Sequence, residues 1–482
     1  MQRRRPWGRT SSWTSRRTAG RTAKGVAAAV LLAVVGGPAL PVAAAGAVSG
    51  SPAGMWRVDG YGTVLSVERG RLLEYQVTSV SCLKGESAGR SGGASHAPRY
   101  LTADGDAFTV RSGPRPDRAS MRVDGSPNDR ALRRIAALPV SCARETPAGP
   151  VAAFDVLWQT FEENYPFFAA KGIDWDAVRD RYRPRIHAGT TDAELFAVFR
   201  EMLSPLHDAH VALLAGGTGV FAQSRPGTVI PGQALEDRIK AYVQERDLDG
   251  RPLREFGRGR IGYADLPGGR GYLRLSAFSG FTQANTFAAN SAELDRALDA
   301  ILTPARTARL KGLIIDLRIN GGGSDSLGLR LAARLTDRPH FAYAKRARND
   351  PSDPSRFTRP QPVYVQPAAG RSRFAGPVTV LTGGTTFSAG ETFTQALIER
   401  PGLTVRIGEP TQGVFSDTLE RRLPGGWTVL LPNEEFLTRS GHTFDGPGIP
   451  PHLSEPVFTD EEFARHLDSA FDRAVEVLRE RR

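Results

Sequence analysis

From residue 151 the apolar positions fall into helical spacing: Phe154, Leu157, Trp158 and Phe161 repeat at i, i+3, i+4 and i+7, one buried stripe. Asp174 before Trp175, Val178 and Tyr182 predicts a second helix with an acidic cap. Thr191, with Glu194 three residues on, opens a third, LFAVFREML, with capping-box spacing. This helical unit covers 151–214 and ends in LSPLHDAHVALL. Residues 48–146 have a different rhythm. Short runs such as GTVLSVERG, LLEYQVTSVSC and AFTVRSG alternate with turn residues and predict a small β-rich module. Within it ESAGRSGGASHAP reads as a loop, and RETPAGP as the linker that follows. Residues 215–258 read as a Gly/Pro-interrupted connection. Over 259–455 strands and helices alternate: GYLRLSAF, a helix around 285–302, GLIIDLR, a helix around 325–335, VTVLTG, a helix around 389–399, and TVRIGEP. Nearly all-apolar strands alternating with helices predict an α/β unit with a mainly parallel sheet. DEEFARHLDSAFDRAVEVLRE, within 456–482, reads as one amphipathic closing helix.

Composition is that of an ordinary globular protein, 40% apolar and 24% charged over 482 residues. The net charge of +12 suggests nucleic acid until its location is considered. Eight of the basic residues lie in 1–25 without an acid, ahead of VAAAVLLAVV and PVAAAGA, the layout of a signal peptide over 1–47. Its removal leaves +4, so no nucleic-acid partner and no stable membrane insertion are expected, and the mature chain is expected to be secreted or in the cell envelope. In such a protein Cys82 and Cys142, the only cysteines, are expected to form a disulfide within the β-rich module. Two cysteines and scattered histidines make no zinc pattern, and neither metal nor cofactor is expected. Oligomeric state is not legible.

Three segments carry chemistry. In VTVLTGGTTFSAGE an apolar strand runs through small residues into a helix, with Ser388 at the turn. Such a serine is either a nucleophile beside helix N-terminal amides or simply an N-cap. The α/β-hydrolase pattern G-x-S-x-G is not matched, because Thr386 takes the earlier glycine position. In GLIIDLRINGGGSDS three glycines follow a strand, so backbone N–H groups can approach a carbonyl, or the run is a plain loop. In RSGHTFDGPGIPPH, Asp445 precedes a Gly-Pro-Gly turn and either orients an imidazole or makes an Asx turn. A serine nucleophile needs a base. His207 and His210, in PLHDAHVAL, stand where the helical unit becomes extended, and no lysine follows Ser388 to serve instead.

Together these segments resemble the S41 serine peptidases, the tail-specific and tricorn-core family. The resemblance rests on D208-A-H210, D316-L-R-I-N-G-G-G323, T386-F-S-A-G-E391, G408-E-P-T-Q-G413 and D445-G-P-G-I-P450, in that order, over about 151–455. It implies a crotonase/ClpP-like core in which Ser388 attacks a peptide carbonyl and His210 takes its proton. It also implies an oxyanion site at the amides of Ala389 and of Gly322 or Gly323, Gly322 by preference. Asp445 falls where tricorn-like members carry a relay glutamate, and His207 is the second choice for the base. The short 215–258 stretch leaves no room for a PDZ domain and there is no lysine base; both point to the PDZ-free, tricorn-like branch. In tricorn a serine precedes the histidine, whereas here it is Ala209. The expected activity is hydrolysis of peptide or protein substrates through an acyl-serine intermediate. The alternatives are an apolar-ligand binder on the same fold, or an esterase or amidase using the same site. Arg318 and Arg274 stand near the motifs as candidate carboxylate holders or structural ion pairs.

Overall fold

The structure, a computed structural model, describes residues 50–230 and 232–480. The expected signal peptide lies outside these residues. Gly54–Val58 begins an antiparallel meander of eight strands that closes when the first strand pairs with the last, Arg130–Ile135. Closure removes both sheet edges, and Trp56, Tyr100, Val110 and Leu132 are buried. Of the stretch expected to be a loop, 86–98, only 95–96 form a turn and 97–98 begin the next strand; 86–94 lie in the strand Cys82–Ala94, paired on both sides. Its glycines lower β propensity, but a closed barrel needs two ladders from this segment, and pairing overrides propensity. Cys82 and Cys142 lie at disulfide-bonding distance, with Cα atoms 4.9 Å apart.

The three helices of the next unit form as their spacing predicts: Pro150–Asn164, Trp175–Tyr182 and Asp192–Leu203. Phe154, Leu157, Trp158 and Phe161 are all buried. Asp174 accepts the N–H of Ala177 at 3.0 Å, and both halves of the Thr191/Glu194 capping box are present. The 215–258 connection contains a helix, Gln233–Arg246, that the sequence pattern hides. Only Ile239 and Val243 of it are buried, too thin a stripe to show as periodicity.

The core is a seven-stranded sheet in the order Arg254–Phe256, Ile261–Leu266, Arg270–Leu275, Gly312–Asp316, Val378–Thr382, Thr404–Gly408, Leu453–Ser454. The first two pairs are antiparallel and the other four parallel, so the sheet is mainly parallel as expected. Every residue of Gly312–Asp316 and Val378–Thr382 is buried, which explains their unbroken apolar character. The closing segment is two helices, Asp460–Arg465 and Ser469–Glu480, rather than one. His466 turns left-handed at φ 54°, and Asp468 points inward to cap the second helix and to accept Arg318.

Arg318 is fully buried and structural. Its Nη1 contacts both Asp468 oxygens at 2.7 Å, while Nε and Nη2 reach Asp316 at 3.0 and 2.8 Å. Arg274 is likewise spent, on Glu255 at 2.8 Å. Arg318→Met would strand two buried carboxylates; it is expected to destabilise the fold by about 3–5 kcal/mol, read as a lower urea midpoint at unchanged slope.

Candidate active site

The two buried central strands deliver their C-terminal ends side by side, and the site is built there. Val378–Thr382 runs through Gly383–Phe387 into the helix Ala389–Ala396. Ser388, at the turn, has φ 52° and ψ −117°, a strained conformation for a residue with a side chain. This is a strand-to-helix elbow that keeps the later of its usual glycines, Gly390, but not the earlier. Thr386 fits because its buried hydroxyl donates to Leu317 O at 2.9 Å and accepts Gly383 N–H at 3.1 Å. Gly390 must stay small, since a Cβ there would meet Asn320 Oδ1 at 2.7 Å.

Ser388 and Glu391 stand in a capping box, in which the Ser388 hydroxyl faces the Glu391 N–H without making a full capping hydrogen bond. The helix start is satisfied by other groups: Glu391 N–H donates to Ser388 O at 2.8 Å, and Ser388 N–H donates to Glu391 Oε2 at 3.2 Å. Glu391 also accepts Gly413 N–H at 2.6 Å and Val414 N–H at 2.9 Å, tying the elbow to the G-E-P-T-Q-G loop. Burial pushes its carboxyl up to about 8, against these donors and Thr411. The T-F-S-A-G-E motif by itself gives Glu391 no role, because its partners lie 22 and 23 residues away, which no local pattern reveals.

The glycine run lies against the elbow. Phe387 N–H donates to Asn320 O at 2.9 Å, and a Cβ on Gly322 (φ +81°) would sit 2.7 Å from Ser388 Cβ. Gly321 N–H donates to Ser276 O at 2.9 Å and Gly322 N–H to Asn320 Oδ1 at 3.0 Å. Among the described residues the N–H groups of Gly323 and Ala389 have no acceptor. Gly322 O and Ser324 N–H both pair with Phe278, so strand alternation turns the Gly323 N–H to the opposite side. The geometry thus favours Gly323 over Gly322 as the open donor and gives Gly322 the close approach. Gly322→Ala is expected to lower kcat/KM by about 10²-fold through displacement of the elbow, measured on the folded variant.

His210 is buried, its ring edge-on to that of Phe387, the residue before Ser388, with centroids 5.1 Å apart. Its backbone N–H donates to Asp208 Oδ1 at 3.0 Å, and Asp208 Oδ2 accepts Tyr165 O–H at 2.8 Å. No hydrogen bond joins His210 to Ser388 among the described residues, and Nδ1 is buried without a partner. Burial lowers the imidazole pKa, partly opposed by Asp208 and Asp417. His207 is exposed at a left-handed turn (φ 46°) and takes no part.

Residues 269–454 match the model of peptidase family S41, and residues 151–204 that of the tricorn protease C1 domain. The chain belongs to peptidase family S41. The S41 chain is 24% identical over 270 residues to a carboxy-terminal-processing protease of Bartonella bacilliformis. That match covers 52% of this chain and spans only 57% of the relative's length. A crystal structure from Parabacteroides merdae superposes with a TM-score of 0.57 at 26% identity, covering 69% of the S41 chain and 97% of its own.

Asp445 is buried beside the same loop as Glu391. Its Oδ1 accepts Phe415 N–H at 3.2 Å and its Oδ2 Thr443 O–H at 2.8 Å. Burial, then the charge of Asp208, holds its carboxyl well above the usual range. It makes no hydrogen bond to His210 in this state among the described residues. Lys345, the one lysine in this region, is no alternative base. Burial pushes its amine down, but Asp417 and Glu434 outweigh that and keep it charged, well above the ordinary lysine value.

Proposed function

We propose that this S41 chain is a serine peptidase of the PDZ-free, tricorn-like type, acting outside the cytoplasm on peptide or protein substrates through an acyl-serine intermediate. The observation that carries this reading is the strained Ser388, next to two open backbone donors and following Phe387, whose ring meets that of His210 edge-on. Ser388 Oγ bonds to the scissile carbonyl carbon while His210 Nε2 takes its proton. The carbonyl oxygen becomes an oxyanion held by Ala389 N–H and a glycine N–H, Gly323 or Gly322. The C–N bond then breaks, the proton passes from His210 to the leaving amine, and water repeats the cycle on the acyl-serine. Asp445 orients Nδ1 of His210 once the substrate draws the ring toward Ser388; apo sites of this kind are often loose.

In this reading 259–455 is a crotonase/ClpP-like catalytic core, 151–214 carries the base, 48–146 is a separate β module and 456–482 closes the sheet. Export through residues 1–47 and a Cys82–Cys142 disulfide belong to the same proposal. A fluorophosphonate probe tests it. The folded protein should take up one equivalent, mapped to Ser388 by mass spectrometry; no labelling, or labelling elsewhere, would refute the reading.

A further inference from the structure

The β-barrel is docked on the catalytic core, and a cavity of about 480 Å³ lies between them, lined from both sides. Ser126 and Asn128, in the hairpin joining Arg118–Val123 to Arg130–Ile135, form one wall. In the same hairpin Gly125 O accepts Ser324 O–H at 3.0 Å. Ser324 is two residues beyond Gly322, which abuts Ser388. Two residues span at most about 7 Å, and with the contacts at either end of that span the barrel hairpin lies within a few residues of extended substrate of Ser388.

The charges around this cavity do not cancel. Its carboxylates are all committed: Asp59 to Arg133 at 2.7 Å, Asp129 to Arg122, and Glu434 to Lys345 at 2.9 Å. Arg346 is committed to Glu435. Among the described residues Arg130 and Arg359, both lining the cavity, have no ion pair. Arg359 is exposed, at the rim. Arg130 is further in: its Nε is buried without an acceptor, and its guanidinium lies 4.1 Å over the ring of Tyr61, whose hydroxyl is held by Glu434. The carboxylates facing it, Glu434, Asp417 and Glu74, lie beyond ion-pair reach, and Lys345 bridges the first two. A planar guanidinium fixed by stacking, with Nε buried without an acceptor and no carboxylate within ion-pair reach, presents its fork of donors to an incoming carboxylate.

We propose that this cavity is a substrate subsite for a carboxylate, with Arg130 as the residue that recognises it, and that the β-barrel thereby sets specificity. The proposal rests on the peptidase reading for its substrate class. The carboxylate has two sources, an acidic side chain near the scissile bond or a free chain terminus.

The test uses the full chain carrying Ser388→Ala and fluorescein-labelled peptides, with affinity read by polarisation. One series places Glu against Gln at successive positions; the other compares a free C-terminal acid with its amide. One acid is expected to bind at least about tenfold tighter than its neutral partner. That ratio should fall below about threefold when Arg130→Gln is added, and recover in part with Arg130→Lys. A preference for Glu over Gln identifies a side chain, and a preference for acid over amide a terminus; either supports the subsite. Equal affinities throughout, or a ratio that survives Arg130→Gln, overturn it. A misfolded variant would lose acid and neutral peptides together, and Arg130→Lys then decides. Fluorophosphonate labelling of the unmutated protein separates the two ideas. Labelling without an acid preference sinks the subsite alone; an acid preference without labelling sinks the peptidase and leaves the subsite standing.

Discussion

Replacing Ser388 with alanine is expected to lower peptide hydrolysis by at least about 10³-fold in kcat, with little change in KM or thermal stability. The reason lies in the elbow. The Ser388 hydroxyl holds little in the fold, because the helix start is capped mainly through the Ser388 backbone and Glu391. Removing the hydroxyl therefore costs little capping and leaves in place the Ser388 Cβ that Gly322 makes room for. An ordinary N-cap serine would behave in the opposite way, losing about 1 kcal/mol of stability on truncation with no effect on turnover. Measuring kcat, KM and the melting temperature together separates the two roles.

The second large effect is expected at His210. His210→Gln should lower kcat by about 10³-fold or more, since glutamine fills similar space but takes no proton from Ser388. The pH profile of the unmutated enzyme carries the same information. Only the neutral imidazole is a base, and burial disfavours the charged form, lowering its pKa below the ordinary 6.5. As pH falls, the decline of kcat/KM should therefore be centred below 6.5, following the His210 pKa of the free enzyme. A decline centred above 6.5 would point to another base.

Much of this arrangement is legible in the sequence because it is local. The apolar strand, small residues, serine and helix of 378–396 are contiguous, and so are the caps at Asp174 and Thr191, where side chain and amide are three residues apart. What the sequence hides is what depends on distant partners. The strand Cys82–Ala94 exists because barrel neighbours pair with it, despite its glycines. The helix Gln233–Arg246 buries only Ile239 and Val243 and so has little periodicity. The closing helix breaks at 466–468 because Asp468 is called inward by Arg318, 150 residues earlier. At the site, the serine and glycine run were readable, but the choice between Gly322 and Gly323 depends on where each N–H points. That is fixed by Asn320 Oδ1 and the bridge to Phe278. The unsatisfied Nδ1 of His210 and the proximity of Asp208 to Asp445 are likewise products of packing alone.

The most direct measurement is a crystal structure of the protein after reaction with a peptidyl phosphonate. Phosphorus should be bonded to Ser388 Oγ, with one phosphonyl oxygen about 2.7–3.1 Å from Ala389 N and from a glycine N of the 321–323 run. His210 Nε2 should stand within hydrogen-bond reach of Oγ or of the leaving-group position. An adduct on another residue, or His210 still turned away with no acceptor near it, would contradict the catalytic account.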